Sequence, residues 1–258
     1  MSYNDIPRDF LTEVQQGNVP RYSMIKMFGR NDSIINGIWS LVSVSTPSGA
    51  FPQSGSPVRI KAGGDPADSA SGVGARSVSI RGLNTDLVDV SETVIPSGAN
   101  ASTYTTNSFW RVYLGSVITA GTYNGTNVGD IVIENAENML TITADEGKTQ
   151  HGAFCIPSGH TGQIVGVYLN ADAVKAADFR LMHRSGFTDI SPPVGAKQLN
   201  IYWDGVLGYV SHITAPTPPL PALTDVWMEA RGGGANTEVS VGFDVLLKQD
   251  DPGHLLSV

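Results

Sequence analysis

Between Thr237 and Gln249 the apolar side chains Val239, Val241, Phe243, Val245 and Leu247 share one parity, and Glu238, Ser240, Gly242 and Asp244 share the other. Only an extended strand sends successive side chains to opposite faces, so this stretch reads as a strand with one buried and one outward face. Similar β-type runs recur at Arg76–Leu83, Phe109–Ile118, Asp130–Ile133, Met139–Thr143, Gln163–Leu169 and Leu199–Trp203, separated by clusters of Gly, Pro, Asn, Ser and Thr. The chain is expected to be all-β.

A single hydrophobic core rarely organises many more than roughly 100–150 residues, and this chain has 258, so two β-sandwich or jelly-roll-like domains are expected, preceded by a helix and an extended arm. The boundaries fall at 1–38 for the helix and arm, 39–149 for the first sandwich, 150–250 for the second, jelly-roll-like one, and 251–258 for the tail. In the first domain, Asn124-Gly125 is a tight-turn signal because both residues tolerate positive φ. The Gly-rich loop from Ala62 to Gly74 is expected to be mobile or ordered by a partner. In the second, Gly152–Pro157, Phe179–Arg184 and Val226–Arg231 complete the strand set. Ala171–Ala177 reads as one helical turn, and Arg231–Asn236 as a hairpin connection. The prolines at 216, 218, 219 and 221 make Thr214–Leu223 an extended connection.

At the N-terminus, Asp5 can cap a short helix that has Pro7 in its first turn, carries Ile6, Phe10, Leu11 and Val14 on one side, and stops near Gly17. So short a helix is marginal alone and must dock on its own body or on an adjacent subunit. From Pro20 to Ile38 apolar Met24, Ile25, Met27 and Phe28 mix with Arg21, Lys26 and Arg30 without a period, which reads as an extended arm. The residues expected to bind a partner are Ile6, Phe10, Leu11, Val14, Met24, Met27 and Phe28.

Charge and chemistry narrow the function classes. A net charge of −8 with only 16 scattered Lys and Arg disfavours a phosphate-tracking surface, so no nucleic-acid partner is expected. A charged fraction of only 16% suits faces occupied by neighbours, and a homo-oligomer, with a trimer favoured, is expected. Cys155 is the only cysteine, sits in an apolar run and reads as a buried, inert thiol. No run approaches the roughly 18 apolar residues that span a bilayer, and the N-terminus lacks the basic and apolar regions of a signal peptide, so no membrane role and synthesis in the cytosol are expected.

The five histidines, His151, His160, His183, His212 and His254, show no metal-pair spacing. Asp65 and Asp68 could in principle hold calcium on a turning loop, but the reading favoured is solvated turn residues. Glu134 with Glu137, or Asp86 with Asp89, are paired carboxylates with nothing in the sequence to aim them at one bond. Neither a nucleophile elbow nor a phosphate loop is present. No enzyme, cofactor or metal is therefore expected. Trp110, Trp203, Tyr202, Tyr209 and Trp227 would stack on sugar rings if exposed, although strand aromatics more often fill cores.

Several phrases together resemble a group of virion structural proteins of tailed bacteriophages: Gly74–Leu83, Val90–Val94, Thr106–Val112, Ala120–Gly129, Phe154–Gly162 and Leu181–Arg184. The similarity spans about residues 24–250. It implies a noncatalytic protein of the virion, a capsid decoration or cement protein contacting the major capsid protein or other virion proteins. The alternatives are a tail, neck or fibre-attachment component, which would form rings, and a host-surface carbohydrate-binding module, which would carry a concave aromatic patch in the second domain.

Overall fold

A computed structural model of the protein describes residues 9–44, 51–52, 54–188, 195–212 and 216–251. Among them are one six-residue helix, α1 (Phe10–Gln15), and sixteen strands, so the protein is all-β. Eight strands form one sandwich: β1 (Tyr22–Ile34), β10 (Ala153–Cys155), β11 (His160–Ala171), β12 (Ala177–Ser185), β13 (Gln198–Val206), β14 (Tyr209–His212), β15 (Thr224–Gly232) and β16 (Thr237–Gln249). One sheet runs β1-β16-β11-β14 and the other β10-β15-β12-β13, with every pairing antiparallel. Numbered within the sandwich, these orders are 1-8-3-6 and 2-7-4-5, the interleaving of a jelly roll.

Between the first two jelly-roll strands the chain leaves to build a second, smaller sandwich. Its strands are β3 (Ser56–Pro57), β4 (Arg59–Ile60), β5 (Ala75–Asn84), β6 (Asp89–Val94), β7 (Ser108–Ala120), β8 (Ile131–Glu134) and β9 (Asn138–Ile142), arranged as β3-β7-β5-β6 and β4-β8-β9. Departure and return lie side by side. Gly152 donates its N–H to the Val42 carbonyl at 2.9 Å, and Val44 to that of Gln150 at 3.1 Å. Just before departure, β2 (Ser40–Leu41) pairs with β15 beyond the end of β10.

The order of domains along the sequence is thus different from the expected one. The smaller sandwich is an insertion, and the jelly roll is assembled from residues 22–44 together with 150–249. The presumed arm is largely β1, which pairs with β16 from Tyr22↔Lys248 to Ile34↔Thr237. Its period-2 pattern is obscured because it carries apolar side chains on both faces: Met27 and Ile34 enter the core, while Met24 lies under α1 and Phe28 is exposed. Gly29 sits where β1 crosses the neck of the insertion, and a Cβ there would collide with the Val42 carbonyl and the Gly152 backbone.

Each sandwich has a core, and that of the jelly roll takes in Leu83 and Tyr113 of the inserted one. The jelly-roll core joins Ile34, Val167, Leu169, Phe243 and Val245 of one sheet to Phe179, Leu181, Val226 and Met228 of the other. The inserted core holds Val58, Val78, Ile80, Phe109, Ile133 and Leu140. The parity expected for Thr237–Gln249 is present, with Val239, Val241, Phe243, Val245 and Leu247 all buried.

Four local expectations need correction. The helix begins at Phe10 with Asp9 as its N-cap, the Asp9 carboxylate accepting from the Thr12 N–H at 3.1 Å, and it ends at Gly17 with φ +76°. Asp5, Ile6 and Pro7 lie outside the described residues. Ala171–Ala177 contains no helical turn: Ala171 ends β11, Ala177 starts β12, and Asp172 accepts from the Val174 N–H, a side-chain turn that competes with helix. The Gly-rich connection at 232–236 joins strands of different sheets, so it is a corner rather than a hairpin. The loop Ala62–Gly74 is anchored from within. Asp68 is buried, and its carboxylate accepts from the N–H groups of Ala75 at 2.7 Å, Val128 at 2.9 Å and Gly129 at 2.9 Å.

Two turn expectations agree with the structure. Asn124 and Gly125 adopt φ of +39° and +73°. The Pro-rich connection is extended where it is described, with Leu220 and Thr217 hydrogen bonded alongside β11 at Gly162 and Ile164.

Candidate functional site

The outer face of the β1-β16-β11-β14 sheet is divided in two. At one end α1 lies across it: Val14, Val165 and Leu246 are buried together, with Leu11, Val19, Tyr22 and Met24 packed around them. Of its two docking options, the helix takes its own body. At the other end the face is open, and a cavity of about 540 Å³ lies over Gly242, bordered by Phe28, Tyr168 and Tyr209.

Strand register arranges this cavity in rows. Phe28 on β1 and Tyr168 on β11 are both paired with Gly242 of the intervening β16, so the middle of the row carries no side chain. Strands two apart are roughly 9.6 Å distant, which leaves a slot between the two aromatic positions. On one side the next row pairs Lys26 with Asp244 and Asp244 with Gly166. On the other, Ser240 pairs with Asn170, and Asn170 with Tyr209. The ring of Tyr168 lies along its own strand: a Cβ on Gly242 would stand 3.4 Å from its Cδ2, and one on Gly166 3.3 Å from its hydroxyl. That hydroxyl donates to Asp244 Oδ2 at 3.2 Å, and partial burial and the Asp244 carboxylate together raise the phenol above its ordinary pKa. Phe28 and Tyr209 are 49% and 67% exposed.

The expected partner-binding residues separate accordingly. Val14 is buried and Leu11 and Met24 are partly buried beneath the helix, while Met27 is in the jelly-roll core, so these four hold the chain's own fold. Phe10, 46% exposed, packs edge-on against Tyr22 with centroids 5.3 Å apart. Phe28 is exposed and borders the cavity. Ile6 lies outside the described residues.

Of the aromatics considered for sugar stacking, Trp227 is buried, Trp110 packs on Phe187, and Trp203 packs on His212. Tyr202 is exposed beside Trp39, which also lies against the guanidinium groups of Arg180 and Arg231. Only Tyr209 of this set reaches the cavity. Sequence reasoning missed Tyr168 and the role of Gly242, although Ser240, Gly242 and Asp244 stood on the outward parity of the clearest strand.

A second cluster joins the two sandwiches. Arg111 on β7 reaches Asp225 on β15 through two bonds, Nε to Oδ1 at 2.8 Å and Nη2 to Oδ2 at 2.9 Å, while Arg184 Nη2 adds a third at 2.9 Å. Arg111 and Asp225 are buried, and the guanidinium of Arg111 stacks 4.2 Å from the Phe187 ring. These three charge-assisted bonds bolt the sandwiches together, and the buried Nε of Arg184 is left without a hydrogen-bond partner. Cys155 lies beside it, and burial followed by the Asp225 charge pushes its thiol well above the ordinary range, away from nucleophilic use.

Several of the remaining titratable candidates are occupied by the fold. His151 is buried at the neck of the insertion, 3.0 Å from the Ser43 hydroxyl, and burial lowers its pKa to about 4. Glu134 pairs with Arg59 at 3.0 Å and Asp89 with Arg81. Asp68 turns its oxygens to backbone N–H groups, whose donors leave no place for a cation. No cluster of three or more His, Cys, Asp or Glu able to hold a metal ion occurs among the described residues, of which His254 is not one.

No family model matches the chain, and no curated protein matches it. Among solved structures, the 2.6 Å structure of T=1 particles derived from infectious bursal virus is 9% identical over 89% of this chain and 74% of that chain, with a TM-score of 0.21, a value too low to carry an argument.

Proposed function

We propose that the chain is a noncatalytic structural protein of a tailed-phage virion, a decoration or cement protein that bridges major capsid subunits as a homo-oligomer, with trimers as its unit. The observation that carries this reading is the buried Arg111–Asp225–Arg184 cluster, which ties the inserted sandwich to the jelly roll as one stiff piece. A protein that spans a seam between subunits must transmit force between separate contact surfaces, and a flexible joint would dissipate it. Removing one partner of such a buried pair would strand the other charge away from water, at a cost of about 3–5 kcal/mol.

Support also comes from the sequence resemblance and from the use of jelly rolls in viral shells, an association of fold rather than a proof of role. Exposed apolar side chains on the inserted sandwich, among them Val88, Tyr104 and Ile118, supply contact points additional to those on the jelly roll. Symmetry then multiplies weak contacts over the copies of the particle. Attachment at each seam requires roughly 1,200 Å² or more of buried surface.

The test is particle stability. Virions assembled without the chain should release DNA at a lower temperature than complete ones, and purified protein added back should restore the higher temperature. Equal release temperatures with and without the chain would refute a cement role.

A further inference from the structure

We propose that the open half of the β1-β16-β11-β14 outer face is a binding site for an uncharged pyranose of a glycan. The inference does not depend on the virion reading, because it stands on the cavity alone.

Three features select the ligand. The first is shape: the cavity of about 540 Å³ lies within the range of roughly 300–1,000 Å³ common to small-ligand sites, and its central row is vacated by Gly242 between Phe28 and Tyr168. The second is the aromatic content. Phe28, Tyr168 and Tyr209 come from three different strands and border one space. Aromatic faces carry a negative quadrupole that attracts the weakly positive C–H bonds of a sugar ring, and two of these rings remain substantially exposed.

The third is the polar border. Lys26 and Asp244 pair across β1 and β16, so their formal charges cancel locally and favour neither an anion nor a cation. Lys26 offers donors, Asp244 acceptors, the Asn170 amide both, and the Ser240 hydroxyl both. Neighbouring hydroxyl groups, each donor and acceptor at once, match that mixture. An aliphatic ligand would leave these groups unsatisfied, and a charged one would lose to one of Lys26 and Asp244 what it gains from the other. Asp244 is already oriented by the Tyr168 hydroxyl at 3.2 Å, so the two act as a fixed unit at one end of the cavity.

The covered half of the same face supports a distinction between structure and site. There the apolar positions are closed by α1, whereas here Phe28 and Tyr209 remain open to solvent.

The experiment titrates the full chain with methyl glycosides of glucose, galactose, mannose, rhamnose and N-acetylglucosamine, read by saturation-transfer NMR. At least one of these probes should bind saturably at millimolar concentrations. Tyr209→Ala and Phe28→Ala, both at exposed positions, should each weaken that binding about fivefold or more with circular dichroism unchanged. Gly242→Val should abolish it by filling the slot, while methyl glucuronate should bind no more tightly than methyl glucoside. Absence of saturable binding to all five probes by the wild-type chain overturns the proposal, as does binding that survives Tyr209→Ala and Phe28→Ala together. Sedimentation velocity distinguishes the rival occupant: self-association abolished by Tyr209→Ala, without sugar binding, would assign the face to a second copy of the chain. None of these failures bears on DNA-release temperature, so the virion reading is judged separately.

Discussion

The two halves of one sheet face differ in what covers them. Under α1, Val14, Val165 and Leu246 are excluded from water; farther along the same sheet face, Phe28 and Tyr209 are open around Gly242. Both halves carry apolar side chains, so hydrophobicity alone does not distinguish a core from a surface. What distinguishes them is the presence of a segment that can lie across the face. The difference teaches that an outward apolar residue becomes informative only after the chain's own covering elements are placed.

Perturbations of this sheet should grade from severe to negligible. Val241 is buried on the inner face, and Val241→Asp would place an unpaired charge in the jelly-roll core. Its expected cost is about 4 kcal/mol or more in chemical denaturation, enough to unfold the jelly roll. An unchanged melting profile would contradict the strand's orientation.

Next in size is a pH effect at the neck, where His151 lies among residues that include Met27 and Phe28. Its folded pKa, lowered to about 4 by burial, means that the native state holds it neutral. The associated stability is complete above the unfolded pKa of roughly 6.5 and is lost as pH falls toward 4, a total of roughly 3 kcal/mol. Unfolding free energies measured across that window should decline for the wild type and decline less for His151→Gln. Parallel curves would show that His151 is not buried.

The covered half should respond more mildly than the inner face. Val14→Asp is expected to cost about 2 kcal/mol, because a six-residue helix can lift away and limit the loss to its own docking. Hydrogen exchange should then increase over 10–24 and leave β12 and β15 unaffected. At the small end, Tyr209→Ser in the open half should change stability by less than about 0.5 kcal/mol. A larger loss there would show that Tyr209 supports the fold, and the contrast between halves would vanish.

Legibility in the sequence followed the same contrast. Thr237–Gln249 was readable because β16 has an apolar inner face and a mostly polar outer one, interrupted only by Leu246 beneath the helix. The first jelly-roll strand was not readable, since Met24, Ile25, Met27 and Phe28 place apolar groups on both faces and erase the period of two. The topology is hidden with it: if residues 20–38 read as an arm, the jelly roll begins near residue 150 and the insertion reads as a leading domain. Asp68 was visible as a loop carboxylate, but its three backbone donors come from residues up to 61 positions away. The same distance limit applies to Arg111 and Asp225, separated by 114 positions. Of the open site, the sequence offers Tyr209 as a stacking candidate and Phe28 as part of a partner surface. Their meeting with Tyr168 over Gly242 depended on the strand order, which alternation in sequence does not encode.

The bridging of a viral shell by the two bolted sandwiches, as proposed, can be seen or ruled out in an electron cryomicroscopy map of the assembled particle. The account predicts density for the jelly roll and its insertion in threefold groups, each spanning a seam between neighbouring capsid subunits. Density confined to rings of about six or twelve copies at the neck or tail, or a shell with no such density, would contradict it.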